Sequence, residues 1–210
     1  MPRLRQVARA DAPPAVEAAY ARLFGDRDPV AEPGTATGTP GNWWTVFALA
    51  PDVLAHAQAG FALLSSKDRV MTPYQRELAL TRAGFARGSQ FVFSQHCKAA
   101  RFAGVPEDKL RAIPAWHVAA VFDAADRAIL AYTDEMTLAD GRVQDATFAA
   151  LRVHLDDVAI MELTYAVATY GMHATICRAL RLEDDDVDER IVEIAAPGDG
   201  GATDVMSQIR

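Results

Sequence analysis

Residues 72–106 are predicted to form two helices separated by one short break. Thr72 and Gln75 have the capping-box pattern, in which the hydroxyl accepts a hydrogen bond from the backbone three residues on and the amide side chain reaches back. Gly88 then ends the first helix, and Ser89 caps the second, which ends at a Gly-Val-Pro sequence. Because so short a connection makes two helices run antiparallel, we expect a helical hairpin here.

The rest of the chain has the same helical character. Alanine is abundant, and the alternation of β-branched residues that marks strands is scarce. We therefore predict an all-α fold. The further predicted helices cover residues 14–24, a short and a longer stretch that meet at Pro51, residues 106–113, 122–139 and 145–155, and a long apolar helix from a cap at Asp156 to about Leu180.

Three parts of the chain differ in composition. We expect residues 1–41 to form an arm of one helix and a loop, residues 42–182 the helical domain, and residues 183–210 an acidic and then Gly-rich tail. The loop at residues 25–42 contains four Gly and three Pro. Its length indicates either a lid or an arm that lies over a neighbouring chain.

Charge and cysteine content argue against several classes of function. The net charge of −7 disfavours a surface for nucleic acid or an anionic membrane. Cys97 and Cys177 are 80 residues apart and outside any CxxC motif, so we expect no disulfide framework. The N-terminus lacks an apolar signal segment, and no apolar run approaches a membrane span. We therefore expect a cytoplasmic protein. The sequence has none of the Cys and His motifs that bind metal ions, so we expect no metal site.

The sequence contains a weak internal repeat. ELALTRA at residues 77–83 is similar to ELTYAVA at 162–168, and FSQHCKAARFAGV at 93–105 is similar to YGMHATICRALRL at 170–182. In this pairing His96 matches His173. A duplicated helical hairpin would explain the similarity, and so would chance in helices rich in Ala and Leu.

Glu77 and His96 are the main candidates for chemistry. Counted from Gly88, Glu77 lies 11 residues back and His96 lies 8 forward. At a rise of 1.5 Å per residue the axial mismatch across the hairpin is roughly 5 Å, which a Glu side chain can span. A carboxylate that orients an imidazole is a device for proton transfer. The alternative is a buried hydrogen bond between two helices, without any reaction.

Other residues are candidates for contacts with a ligand. His173 is either a core histidine or a second imidazole near His96. Arg82 could hold a substrate carboxylate or lie at the surface. Trp44, beside the flexible loop, could form a ligand-site wall or an interface. Tyr170 and Phe93 are the remaining predicted substrate-binding residues. Cys97 points about 100° away from His96 on the same helix, so a Cys–His nucleophile pair is not expected.

Residues 76–105 resemble the carboxymuconolactone decarboxylase family, which includes alkylhydroperoxidase D. The resemblance rests on Arg76-Glu77, on His96 nineteen residues after Glu77, and on AARFAGVPEDKLRAI. QFVFSQH stands where many relatives have EYEWxQH, and NWWTVFALAPDVLAHAQAGFALL looks like the family's N-terminal helical arm. The resemblance extends over about residues 40–182. It implies a bundle of the alkylhydroperoxidase D type and homo-oligomers, as dimers, trimers or hexamers.

The resemblance also implies that two branches of the family carry out different reactions. In the peroxidase branch a CxxC pair works with a Glu and a His that match Glu77 and His96, but the cysteine positions hold Ser89 and Val92 here. Without those thiols disulfide exchange is lost. In the lactone decarboxylase branch the histidine is thought to serve acid–base chemistry.

We therefore expect a cofactor-free lyase that acts on a small carboxylated lactone or related ring compound. Its catalytic residues are Glu77 and His96 in this hypothesis. The alternatives are an oligomeric protein that binds a small ligand without catalysis, and a thiol peroxidase that uses Cys97 or Cys177.

Overall fold

The computed structural model describes residues 1–183, and every regular element in that range is helical. The elements pack as an antiparallel bundle with one long C-terminal helix. The α-helices are α1 (Pro14–Phe24), α2 (Asn42–Phe47), α3 (Pro51–Leu64), α4 (Pro73–Ala86), α5 (Gln90–Phe102), α6 (Glu107–Ala112), α7 (Ala124–Leu138), α8 (Asp145–Arg152) and α9 (Asp157–Leu180), with short 3₁₀ turns at Arg9–Asp11 and Ile113–Ala115.

The predicted caps of the central hairpin are confirmed. The Thr72 hydroxyl accepts from the Gln75 backbone at 3.2 Å, and the Gln75 side chain accepts from the Thr72 backbone at 2.9 Å. Ser89 accepts from the Val92 backbone at 3.2 Å and starts α5. These two caps set where α4 and α5 begin, and so which of their residues face each other.

Helix α4 lies at the centre of the molecule, packed against α5, α7 and α9. Every residue from 76 to 84 is buried, including charged ones. At Gly84 the backbones of α4 and α5 nearly touch, since a Cβ atom there would lie 2.7 Å from the Phe93 backbone nitrogen. Only glycine permits this spacing, which keeps the side chains of the two helices within short reach.

The N-terminal residues belong to the same core as the helical domain. Val7 is buried, and its N–H donates to the Thr45 carbonyl at 2.9 Å. The Tyr20 hydroxyl of α1 donates to the Val7 carbonyl at 2.8 Å. Both side chains join the main hydrophobic cluster formed by α3, α4 and α9. The predicted arm is therefore packed against the bundle.

Three details differ from the sequence-based expectation. Helix α7 begins at Ala124, after a cap in which Asp123 accepts from the Asp126 backbone, and α8 ends at Arg152. Residues 157–180 form one continuous helix, so the hairpin of residues 73–102 is not duplicated there. The acidic run and the Gly-rich tail lie outside the described residues.

The outer face of α9 carries exposed apolar side chains from Val158 to Met172. Val158, Met161, Tyr165 and Met172 are between 41% and 64% exposed, and Ala168 is exposed between them. Their spacing of three and four residues puts them on one stripe. Within residues 1–183, no helix has the length and apolar character needed to cross a bilayer.

Candidate active site

Glu77 on α4 and His96 on α5 form a buried pair. Nδ1 of His96 lies 2.7 Å from Oε2 of Glu77, and the two residues are 2% and 0% exposed. The contact between Glu77 and His96 that the sequence spacing predicts is therefore present between α4 and α5. The carboxylate can accept only, so the imidazole holds its proton at Nδ1 toward Glu77.

Arg76 completes a row of three side chains. Its Nε donates to Oε1 of Glu77 at 2.8 Å, and its Nη1 donates to the Leu64 carbonyl at 3.0 Å. Burial by itself would raise the pKa of Glu77, but His96 and the Arg76 guanidinium outweigh it and hold that pKa below its usual range. Glu77 is therefore an ionised carboxylate in a buried setting, with both oxygens engaged.

His96 lines a cavity of about 90 Å³ between α5, α9 and the loop before α2. The other ring nitrogen of His96, Nε2, makes no hydrogen bond within residues 1–183. Five of the fourteen lining side chains are Phe, Tyr or Trp. The lining residues are Leu23, Thr35, Thr37, Thr39, Trp43, Trp44, Phe61, Phe91, Val92, Gln95, His96, Tyr170, His173 and Glu183.

The loop at residues 34–41 closes one side of this cavity. Its backbone folds back on itself, with Thr35 N–H donating to the Thr39 carbonyl at 2.8 Å. The hydroxyl of Thr35 lies 3.0 Å from that of Thr37 and 2.9 Å from that of Thr39, and all three residues face the cavity. The loop is thus a lid over the chain's own cavity.

Two buried charged residues hold the lid in place. Nζ of Lys98, which is fully buried on α5, donates to the Thr37 carbonyl at 2.5 Å. The carboxylate of Glu183 accepts from the backbone of Gly41 at 2.9 Å and of Trp43 at 2.6 Å. Glu183 was assigned to the tail from the sequence, but it is a buried part of the cavity wall.

Tyr170 and His173 of α9 form the wall opposite the lid. The Tyr170 ring meets the His96 ring edge to face, with centroids 4.3 Å apart. Burial, with the charge of Glu77 adding to it, raises the pKa of Tyr170, so its hydroxyl stays protonated. Burial, followed by the nearby His96, lowers the pKa of His173 to about 4, so its imidazole is neutral near pH 7.

Two predicted substrate-binding residues lie elsewhere. Arg82 does not line the cavity but forms a bidentate ion pair with Asp134, at 2.6 and 2.9 Å, on the α7 side of α4. Phe93 packs in a second hydrophobic cluster with Leu78 and Phe85. Neither residue lines the cavity, since Arg82 lies about 140° around α4 from Glu77 and Phe93 about 60° around α5 from His96. Trp44, Tyr170 and His173 do line the cavity.

Both cysteines lie outside the cavity lining. Cys97 and Cys177 are buried thiols, not joined in a disulfide. Cys97 belongs to the second cluster and Cys177 to the main core. Within residues 1–183, no group of three or more His, Cys, Asp or Glu side chains is arranged to hold a metal ion.

Several site residues were missed from the sequence. Arg76 precedes Glu77 directly, and its adjacency was a signal for an ion pair. The threonines of the lid, Thr35, Thr37 and Thr39, share one side of a turn that folds back on itself, and the sequence has no regular pattern for this arrangement. Nothing local in the sequence marks Lys98 as a partner of that loop.

Comparison with known proteins gives a consistent result. Residues 51–135 match the profile of the carboxymuconolactone decarboxylase family, and this stretch contains both Glu77 and His96. No curated protein matches the sequence.

Solved structures share the fold. A protein of unknown function from Agrobacterium tumefaciens, described as a putative antioxidant defence protein AhpD, has a TM-score of 0.59 and 24% identity over 64% of this chain and 92% of its own. An uncharacterised peroxidase-related protein with an alkylhydroperoxidase AhpD core, from Ralstonia eutropha JMP134, has a TM-score of 0.65 and 17% identity over 85% and 93%.

A third similar structure contains a ligand. The debrominase Bmp8, with one cysteine replaced by alanine and in complex with 2,3,4-tribromopyrrole, has a TM-score of 0.66 and 17% identity over 84% of this chain and 88% of its own. The shared fold, the matched profile and the Glu77–His96 pair agree with one another. Residues 51–135 are therefore similar to the carboxymuconolactone decarboxylase family, and the helical domain around them shares the fold of these solved structures.

Proposed function

We propose that the protein is a cofactor-free lyase that moves a proton on a small lactone or related ring compound through the Glu77–His96 pair. The observation that carries this proposal is that His96 lines the cavity while its Nδ1 is held 2.7 Å from the buried Glu77 carboxylate. A carboxylate in that place selects the tautomer in which Nε2 is unprotonated. Nε2 is then available as a base toward a ligand.

The proton transfer can be written with His96 and Glu77 alone. Nε2 takes a proton from the carbon beside a ring carbonyl, so that a C–H bond breaks, an N–H bond forms and the electron pair moves to the carbonyl oxygen. The negative charge of Glu77 stabilises the imidazolium. The enolate then expels a leaving group from the neighbouring carbon. A decarboxylation starts instead from His96 protonated at Nε2: the C–C bond to the carboxylate breaks, CO₂ leaves and the electron pair moves to the carbonyl oxygen. The imidazolium then places its proton on the carbon.

The size and walls of the cavity support a small ring as substrate. A volume of about 90 Å³ is below that of a cavity that takes up one benzene molecule, roughly 150 Å³, so the cavity under the closed lid suits nothing larger than a small ring. The flat faces of Trp43, Phe61 and Tyr170 suit a planar compound. The debrominase that shares this fold is seen with a single planar ring, 2,3,4-tribromopyrrole.

The second candidate is a binding protein without catalysis. The mostly apolar wall and the lid favour it, since both are sufficient to hold a ligand. The two candidates differ in whether a bound ring undergoes exchange or bond cleavage.

The decisive experiment is a survey of small lactones, with and without a carboxylate. Incubation in D₂O followed by ¹H NMR measures deuterium uptake beside the carbonyl, and a headspace assay measures CO₂. We expect uptake or release with the wild type and a fall of about 10²-fold or more in Glu77→Gln and His96→Gln. Ligands that bind without exchange or cleavage would establish the binding protein instead. Turnover at rates unchanged in both variants would contradict a role for the Glu77–His96 pair in the reaction.

A further inference from the structure

We infer that the cavity selects a planar ring bearing an uncharged carbonyl or amide group, and that it rejects the same ring bearing a carboxylate. The inference takes the proposed site as its starting point and names the class of compound that the site holds. Of the two routes written above it retains proton transfer with loss of another leaving group and excludes decarboxylation, and it differs from the sequence-based expectation of a carboxylated substrate.

The charges around the cavity are the first reason. No Lys or Arg side chain is part of its lining within residues 1–183, and the one carboxylic acid in that lining is the buried Glu183. The neighbouring cations are committed to protein partners. Arg76 binds Glu77 and the Leu64 carbonyl, and Lys98 binds the Thr37 carbonyl from outside the lining. A carboxylate that entered would lose its hydration without gaining a cationic partner in the described wall.

The polar groups of the wall are the second reason. The side chain of Gln95 makes no hydrogen bond within residues 1–183, and its Nε2 is fully buried. His173 likewise has a buried Nε2 without a partner in the described part of the chain. A buried amide without a partner is costly to the protein alone, so a ligand that satisfies it is favoured.

The chemistry of these two groups defines the ligand. An amide side chain offers a donor and an acceptor at once, and a neutral imidazole offers one of each. Since the pKa of His173 is lowered to about 4, this imidazole carries no charge near pH 7 that could attract an anion. A carbonyl or a primary amide on a flat ring matches Gln95, while the ring stacks among Trp43 and Phe61.

Benzamide and benzoate test the inference, because they have the same shape and differ in charge. Titration at pH 8 is followed by the fluorescence of Trp43 and Trp44, which line the cavity, in a Trp116→Phe background. We expect benzamide to bind at least tenfold more tightly than benzoate. Benzoate that binds equally well or better would overturn the inference.

Two glutamine variants show whether Gln95 is the recognising group. Gln95→Met keeps the length of the side chain and removes the amide, so benzamide should bind about tenfold more weakly while toluene binds as before. Gln90→Met is the matched control, because Gln90 is also buried on α5 with an unpartnered amide atom but lies outside the cavity. Equal benzamide affinity in Gln95→Met and wild type contradicts the assignment.

These outcomes are separable from the failure of the proposed function. Selective benzamide binding that depends on Gln95, together with no turnover of any lactone, would support the inference and contradict the proposed lyase activity. Turnover restricted to carboxylated lactones, with tight benzoate binding, would support the enzyme and contradict the inference that the cavity rejects carboxylates.

Discussion

Oε2 of Glu77 lies 2.7 Å from Nδ1 of His96, and Oε1 of the same carboxylate lies 2.8 Å from Nε of Arg76. One buried anion therefore balances a buried guanidinium and orients an imidazole. The arrangement links the stability of the hairpin to the chemistry of the site, since the same side chain serves both.

Glu77→Gln should lower both stability and activity. The amide keeps the shape but leaves the buried Arg76 without a countercharge, so we expect a loss of about 3 kcal/mol in the free energy of unfolding. Urea denaturation followed by circular dichroism measures this loss. Glu107→Gln is the control, since its ion pairs with Arg101 and Arg111 are solvent-exposed, and it should cost less than about 1 kcal/mol. Equal costs in the two variants would contradict a buried ionised Glu77.

Stability should fall between pH 6.5 and pH 4 because of His173. The folded-state pKa of His173 is lowered to about 4, whereas an unfolded chain takes up this proton near pH 6.5. The unfolded state thus binds more protons in that interval, and stability decreases as the pH falls, by about 3 kcal/mol in total.

In the His173→Phe variant the free energy of unfolding should fall less steeply over the same pH interval. His117→Phe, at an exposed histidine, should fall as steeply as the wild type. Chemical denaturation at half-unit pH steps gives the slopes. Below about pH 4.5 a further loss is expected from Glu77, whose lowered pKa stabilises the fold only while the carboxylate is ionised. Parallel slopes for wild type and His173→Phe would show that His173 is not buried in the neutral form.

Lys98→Met should loosen the lid. The bond from Nζ of Lys98 to the Thr37 carbonyl is lost, so the wall near Trp43 and Trp44 becomes easier for solutes to reach. We expect stronger quenching of their fluorescence by acrylamide, in the Trp116→Phe background. Lys67→Met, at an exposed lysine, is the control. Quenching equal to that of the control would mean that the lid is held by its other contacts.

The two cysteines should react slowly and be dispensable. Both Cys97 and Cys177 are buried and outside the cavity lining. Alkylation should therefore be slow in buffer and fast in urea, and a double Cys→Ala variant should keep any lactone or binding activity. Rapid consumption of hydrogen peroxide by the wild type, lost in the double variant, would favour a thiol peroxidase.

The apolar stripe on α9 should pair with the same stripe of a second copy. These apolar side chains lie on one face of a single helix, so an antiparallel pair of α9 helices would bury both stripes against each other. A double Met161→Glu and Met172→Glu variant should therefore become monomeric in size-exclusion chromatography with light scattering. Val118→Glu, at an exposed site away from α9, should not. A wild-type monomer, or an unchanged oligomer in the double variant, would contradict this pairing.

The helices and the central pair could be predicted because their signals are local. Thr72 and Ser89 set the starts of α4 and α5, and the rise per residue then places Glu77 opposite His96. Arg82 was a candidate because it is near Glu77 in sequence, but it does not line the cavity. Five residues along a helix correspond to a rotation of about 140°, which turns Arg82 toward α7.

The cavity wall could not be predicted in the same way. Thr37 is 61 residues from Lys98, and Glu183 is 142 residues from Gly41, so neither contact has a sequence pattern of its own. The position of His173 was predicted in part, since the weak repeat paired this residue with His96. The two histidines do share a cavity, but α9 is a single helix and the repeat describes no second hairpin.

The close approach at Gly84 limits how the site can vary over evolutionary time. Any side chain at this position would meet backbone atoms of α5, which cannot move aside without shifting the whole helix. A Gly84→Ala change would therefore push α5 away from α4 and separate Glu77 from His96, although both residues would still be present in the sequence. Loss of activity in a descendant of this chain could arise at a residue that has no side chain, and a search for altered catalytic groups would miss it.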